Sequence, residues 1–246
     1  LAPYGITVND QGDGSVVAYL PLHVASDDTG GGKAAFQTRM LYWPGATNRW
    51  IEPQSVKVIW LVQMITDGCD PGVDRGLARV GPLEGRTVVD LGCGTGLLEG
   101  HLLPRVGDGR ILAIDFSAEM LALARARHGS ERITWICRDV LDTAIADASV
   151  DVVLCFNAFP HFPDPTAIAR EVARWLRPCG PLLVWHDIGR AQLAAIHGGG
   201  PPPIRGDLLM PVARLSELVA AAGLVVERAA EDGSSYTLLA RRPPGE

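Results

Sequence analysis

No lysine lies beyond Lys57, so every fixed positive charge after that point is an arginine. This excludes a Schiff-base lysine and a Tyr-x-x-x-Lys reductase pair from the C-terminal part of the chain. Long apolar runs are also missing. The longest, Val56 to Ile65, is about ten residues and contains Lys57 and Gln63, whereas a membrane span needs about 20. Positive charge is in deficit, with a net charge of −6, which argues against nonspecific nucleic-acid binding. The five cysteines (Cys69, Cys93, Cys137, Cys155 and Cys179) are odd in number and widely spaced, a pattern of buried thiols rather than of disulfides or a zinc site. No signal-peptide pattern opens the sequence, and a cytoplasmic setting is expected. What remains is ordinary: 246 residues with 47% hydrophobic content, enough for one α/β domain and an extension.

Val88-Val-Asp-Leu-Gly-Cys-Gly-Thr-Gly96 is the most informative stretch. An apolar run ends in Asp90, three glycines follow at spacing G-x-G-x-G, and Leu97-Leu98 opens a helical pattern. Gly92, Gly94 and Gly96 let the backbone turn sharply and let a ligand approach main-chain N–H groups, with the helix start adding unpaired donors. A dinucleotide fingerprint is G-x-G-x-x-G, and its third glycine would fall at Leu97. An acid at position 90 also repels phosphate, whereas it suits a ligand carrying a cationic amine and a sulfonium.

Arg110-Ile-Leu-Ala-Ile-Asp-Phe116 is a second buried-strand pattern. Its acid, Asp115, lies about 20 residues past the glycines, where a doubly wound sheet places the carboxylate that accepts ribose hydroxyls. Ser117 is a helix N-cap candidate, with Met120, Leu121 and Ala124 as the stripe behind it. Ile133 to Cys137 runs into Arg138-Asp139-Val140, and Val150 to Phe156 ends in Asn157-Ala-Phe-Pro-His-Phe-Pro163. The motif D-L-G-C-G-T-G, followed in order by these acids, resembles the class I S-adenosylmethionine (SAM)-dependent methyltransferases, closest to the small-molecule branch called type 11, over residues 76 to 242. The resemblance implies SAM as cofactor and methyl transfer to a small-molecule acceptor, with S-adenosylhomocysteine as product. It also implies that Asp139 hydrogen-bonds the adenine amino group. The residues expected to line the cofactor are Asp90, Gly92, Gly94, Gly96, Asp115, Phe116, Asp139, Val140 and Asn157.

The later segments keep the same rhythm. Asp164-Pro165 reads as an N-cap and first helical residue, with Ile168, Val172, Trp175 and Leu176 at helical spacing. Leu182 to Trp185 is a fifth strand, Val212 to Ala222 a last helix stopped by Gly223, and Leu224–Glu227 with Tyr236–Ala240 a closing pair of strands. In the turn Arg177-Pro-Cys-Gly-Pro181 the family usually has two adjacent glycines, and this sequence departs from that. The fold class expected is α/β: a doubly wound, mostly parallel seven-stranded Rossmann-like sheet over residues 73–246. Residues 1–72 read instead as a β-rich extension. Val16–Val24, Ala34–Tyr42 and Val56–Ile65 suggest a three-stranded meander separated by turn signals at 27–32 and 44–48. The extension is compatible with a β-module replacing the family's helical lid, with a fragment of a larger protein, or with an artefactual join.

Polar residues cluster after the fourth and fifth strands: Asn157, His161, His186, Asp187 and, farther on, His197, Arg205 and Asp207. His161 and His186 are the catalytic candidates, because neutral imidazole is available near pH 7 and no lysine competes. Asp187 adjoins His186, although sequence neighbours on a strand point to opposite faces. No metal site is expected, since the spacing of these groups matches no compact ligand motif. Two other readings are a dinucleotide-dependent oxidoreductase, disfavoured by the glycine spacing and Asp90, and a non-catalytic SAM-fold binding module. Neither nucleic acid nor membrane is expected as a partner.

Overall fold

The computed structural model describes residues 7–10, 16–23, 35–43, 62–64, 71–198 and 207–245. The first of two units holds a four-stranded antiparallel sheet in the order β1-β2-β3-β4. Its strands are β1 (Thr7–Asp10), β2 (Val16–His23), β3 (Ala35–Trp43) and β4 (Val62–Met64). Register runs Val16 opposite Trp43 to His23 opposite Phe36, and β4 pairs through Ala35 opposite Met64. The meander therefore has one strand more than the three anticipated. Thr7–Asp10 is too short, and too polar at its end, to show an alternating pattern. The rest of the Val56–Ile65 run and both turn segments lie outside the described residues.

The second unit carries the seven-stranded sheet, in the order β10-β11-β9-β8-β5-β6-β7. The strands are β5 (Thr87–Leu91), β6 (Arg110–Asp115), β7 (Ile133–Cys137), β8 (Val152–Phe156), β9 (Pro181–His186), β10 (Val225–Glu231) and β11 (Tyr236–Arg241). The helices are α1 (Pro71–Leu77), α2 (Leu97–Val106), α3 (Ala118–Arg127), α4 (Pro165–Trp175), α5 (Arg190–Gly198) and α6 (Val212–Ala221). Strands β5 to β9 pair in parallel, and β11 runs antiparallel between β9 and β10. Strand order reverses beside β5, whose neighbours are β6 and β8, and a doubly wound sheet opens its ligand crevice at that point.

Period-two alternation sorts the strand residues between two cores. Val88, Val152, Leu154, Phe156, Leu183 and Trp185 face the layer of α1 to α3. Val89, Leu91, Val153, Cys155, Leu182 and Val184 face the layer of α4 and α6. Each fully buried side chain of this kind contributes about 1.5–3 kcal/mol, which is why the central strands read as continuous apolar runs. Asp90 falls on the first of these faces, in phase with Val88.

The caps follow the sequence. The Ser117 hydroxyl accepts from Met120 N at 3.2 Å, and Asp164 Oδ1 accepts from Ala167 N at 2.9 Å with Pro165 at the first helical position. Such caps are worth about 1 kcal/mol each. Cys179 takes φ +65°, the left-handed conformation that a glycine at that turn would adopt without strain.

Candidate functional site

The loop from Gly92 to Gly96 leaves β5 through three positive φ angles, +71° at Gly92, +54° at Gly94 and +82° at Gly96. The three glycines do different things. A Cβ on Gly92 would stand 2.6 Å from Ala158 Cβ, and one on Gly96 would meet His128 Cδ2 at 3.0 Å and Ala124 Cβ at 3.2 Å. Both are needed for close packing. A Cβ on Gly94 would meet nothing within 4 Å, so its open side is where a ligand has access to the backbone. The loop is anchored by Gly92 N and Cys93 N, which both donate to Ile114 O at 2.9 and 3.0 Å. From the end of α3, His128 Nε2 bonds Gly96 O at 2.7 Å and Arg127 donates to Thr95 O at 3.2 Å.

Asp115 ends β6 beside this loop. Its Oδ2 accepts from Gly94 N at 3.0 Å and its Oδ1 from Ser117 N at 2.8 Å. Burial raises its pKa, opposed by backbone donors from Ser117, Gly94 and Phe116. Three donors do not exhaust its lone pairs, so the carboxylate is fixed in orientation and still able to accept a hydroxyl. Phe116 follows with 47% of its surface exposed, an apolar ring presented at the sheet edge. Asp139 ends the β7 segment and caps a short 3₁₀ turn, its Oδ1 accepting from Leu141 N at 2.9 Å, with Val140 buried behind it.

Asp90 is 2% exposed, and across from it lies Glu99, the third residue of α2, with no exposed surface. The two carboxyl groups interact directly, and no other residue donates a hydrogen bond to either Glu99 oxygen. Burial drives both acids upward, Glu99 to about 7. Glu99 is absent from the sequence-derived residues. The available signal was an acid at a helix position in phase with the buried Leu98 and Leu102.

The facing side of the crevice is assembled from β8 and β9. Asn157 takes φ +53°, and its Nδ2 donates to Asp187 Oδ1 at 2.8 Å while Asp187 N donates to Asn157 Oδ1 at 3.4 Å. Asp187 thus bonds Asn157. His186 lies within β9, 2% exposed, its ring edge-on to Tyr236 of β11 with centroids 5.7 Å apart. His161 closes a single 3₁₀ turn, Phe159–His161, whose backbone is held by His161 N donating to Ala158 O at 3.0 Å. His161 Nδ1 lies 2.8 Å from Asp207 Oδ2, with side chains 9% and 17% exposed. That pairing, across 46 residues, was not foreseen. The same turn packs on the glycine loop through Ala158 and Phe162. Among the described residues no group of three or more His, Cys, Asp or Glu is arranged to hold a metal ion, and no helix is long and apolar enough to cross a membrane.

Residues 88–180 match the methyltransferase-domain family. The chain is 40% identical over 106 residues to the ubiquinone biosynthesis O-methyltransferase of Xanthomonas oryzae pv. oryzae, covering 42% of this chain and 43% of that protein. It is 34% identical over 161 residues to the trans-aconitate 2-methyltransferase of Azoarcus sp., covering 58% of this chain and 62% of that one. The chain thus spans less than two thirds of the length of either relative. Among solved structures, a chain of the complex between the Haloferax volcanii Trm112 methyltransferase activator and a methyltransferase superposes with TM-score 0.61 and 25% identity, covering 70% of this chain and 89% of that one. A SAM-dependent methyltransferase from Aquifex aeolicus shares the fold, with TM-score 0.56, 23% identity, and 69% and 88% coverage.

Proposed function

We propose that this chain, whose residues 88–180 form a class I SAM-dependent methyltransferase domain, transfers a methyl group from SAM to a hydroxyl of a small-molecule acceptor. The observation that carries the reading is the open side of Gly94 beside the buried acids Asp90 and Asp115, a cradle for a cationic nucleoside. A buried carboxylate pointing at a pyrophosphate would be repelled, which disfavours a dinucleotide. When bound, SAM supplies an electrophilic methyl group. In this proposal Asp90 receives its ammonium end, Asp115 the ribose, Phe116 and Val140 the base, and Asp139 the adenine amino group. Gly92 and Gly96 hold the loop in shape, and Asn157 closes the cleft between the two sides.

A hydroxyl acceptor must lose its proton to attack, and a positioned base contributes about 10²–10⁴-fold in rate. We assign that role to His161. Its bond to Asp207 keeps the proton on Nδ1, makes Nε2 the basic nitrogen, and balances the charge when the ring is protonated. His186, closed in against Tyr236, is the weaker candidate. The two curated relatives, named for O- and 2-methyl transfer, support a small-molecule acceptor. A cytoplasmic setting goes with the proposal, because Cys93, Cys137, Cys155 and Cys179 are free thiols suited to a reducing compartment. We also place the domain boundary near residue 72, with the β-rich unit as an appended module.

The test is a metabolite library screened for SAM-dependent release of S-adenosylhomocysteine. Release with one or a few hydroxylated acceptors is the expected result. Tight SAM binding with no transfer to any acceptor would favour a scaffold role, and binding of NADPH in place of SAM would overturn the reading.

A further inference from the structure

We propose that Asp90 and Glu99 form a proton-sharing carboxyl pair that receives the ammonium group of SAM, so that the cofactor enters by exchanging its cationic amine for a proton. The inference rests on the SAM-binding reading and adds a residue and a proton to it. Glu99 occupies a place where chemistry without a ligand gives no reason for an acid. It sits on the face of α2 that buries Leu98, Leu102 and Val106, has no exposed surface, and takes no hydrogen bond from any other residue at either oxygen. A leucine there would avoid the cost of burying an unsatisfied polar group.

Asp90 is the group that Glu99 touches, and neither ionised carboxylate has a hydrogen to give. Their contact therefore requires at least one proton between them, as in other buried carboxylate pairs. Every other titratable group facing them works in the same direction. Asp115, from the end of β6, adds negative charge to Asp90, and the thiols of Cys93 in the loop and Cys155 on β8 are pushed up, by burial first and then by these acids. On α2 itself, His101 and Arg105 both bond Asp74 of α1. No arginine or histidine among the described residues is paired with Asp90 or Glu99. The pair thus has no cationic partner among the described residues, and a primary ammonium supplies both the charge and several N–H donors. The proton on Glu99 leaves to solvent as the ammonium arrives while Asp90 keeps the shared one, so the balance is one proton released for one ammonium bound and a single negative charge faces the cation.

The sign follows. Below about pH 7, where Glu99 titrates, the free pair holds a second proton and must give it up, so affinity rises with pH and then levels off. The experiment is isothermal titration of SAM into the whole chain at pH 6.0, 7.0 and 8.0, in pairs of buffers with different ionisation enthalpies. Wild type should release close to one proton at pH 6.0 and much less at pH 8.0, with affinity rising roughly tenfold per pH unit at the acid end. E99Q should release almost none at pH 6.0 and lose the pH slope, while still binding. 5′-Methylthioadenosine, which lacks the amino-acid end, should bind without proton release to either protein. A ligand-free readout accompanies this. A carboxyl whose folded pKa is raised costs stability as pH climbs from its unfolded to its folded value, so wild type should lose melting temperature between about pH 4.5 and 7, and E99Q should lose less. Equal proton release and equal slopes in wild type and E99Q would overturn the pair while leaving SAM binding intact. Absence of SAM binding to wild type would overturn the cofactor reading and this inference together.

Discussion

At the ends of β5 and β6, polar groups are held by the main chain. Gly94 N and Ser117 N fix Asp115, and Ile114 O holds the first two residues of the glycine loop. At the ends of β8 and β9, they are held by side-chain pairs between distant segments, Asn157 with Asp187 across 30 residues and His161 with Asp207 across 46. Backbone donors cannot be mutated away and always return to the same place, so the first side is a fixed cradle. Side-chain pairs are replaceable, so the second can change its chemistry with few substitutions. The proposed function calls for this division, with one cofactor kept and the acceptor varied.

The comparison breaks most visibly at Gly94. Its φ of +54° and open side mean that Gly94→Val both strains the loop and fills the space, at a conformational cost of about 1–3 kcal/mol that the fold survives. Calorimetry should find SAM binding abolished with the far-ultraviolet spectrum unchanged, and wild-type affinity would remove Gly94 from the cradle. On the other side, His161→Ala should lower kcat by about 10²-fold or more at constant SAM affinity, in line with loss of a general base. Asp207→Asn should lower kcat less and displace the acid limb of the kcat–pH profile, which a purely structural contact would leave in place. If both variants keep full turnover with the true acceptor, positioning alone accounts for the rate. The smaller effects belong to the cradle's two acids. Asp115→Ala removes charge-assisted bonds worth about 1.5–3 kcal/mol each and should weaken SAM at least tenfold. Asp139→Ala should cost only severalfold, and the reverse order would exchange the two assignments.

The same contrast explains what was legible beforehand. The glycine spacing, Asp115 at the end of its strand, and the Ser117 and Asp164 caps are local features in which a residue type answers a backbone geometry a few positions away. All appear where the pattern puts them. The seven strands of the mostly parallel sheet follow from alternating strand and helix patterns for the same reason. Asp207 could not be matched to His161 without the fold, because nothing in a pattern of apolar spacing says which of several scattered acids returns to a given histidine. Glu99 was passed over for a different reason: in sequence it reads as an ordinary acid in a first helical turn, favoured there by the helix dipole, and only its burial sets it apart. The short strand Thr7–Asp10 fell below the length at which alternation can be recognised.

The contact between Gly92 and Ala158 bears on how such a protein can diverge. The glycine loop and the turn that carries His161 meet there with no room for one more methyl group, since an added Cβ would sit 2.6 Å from its neighbour. Neither position can enlarge without displacing the other, so a lineage acquiring a new acceptor finds this route closed. Variation is steered outward instead, to Asp207, Asp187 and the segments that follow β9, where a replaced side chain leaves the cradle undisturbed.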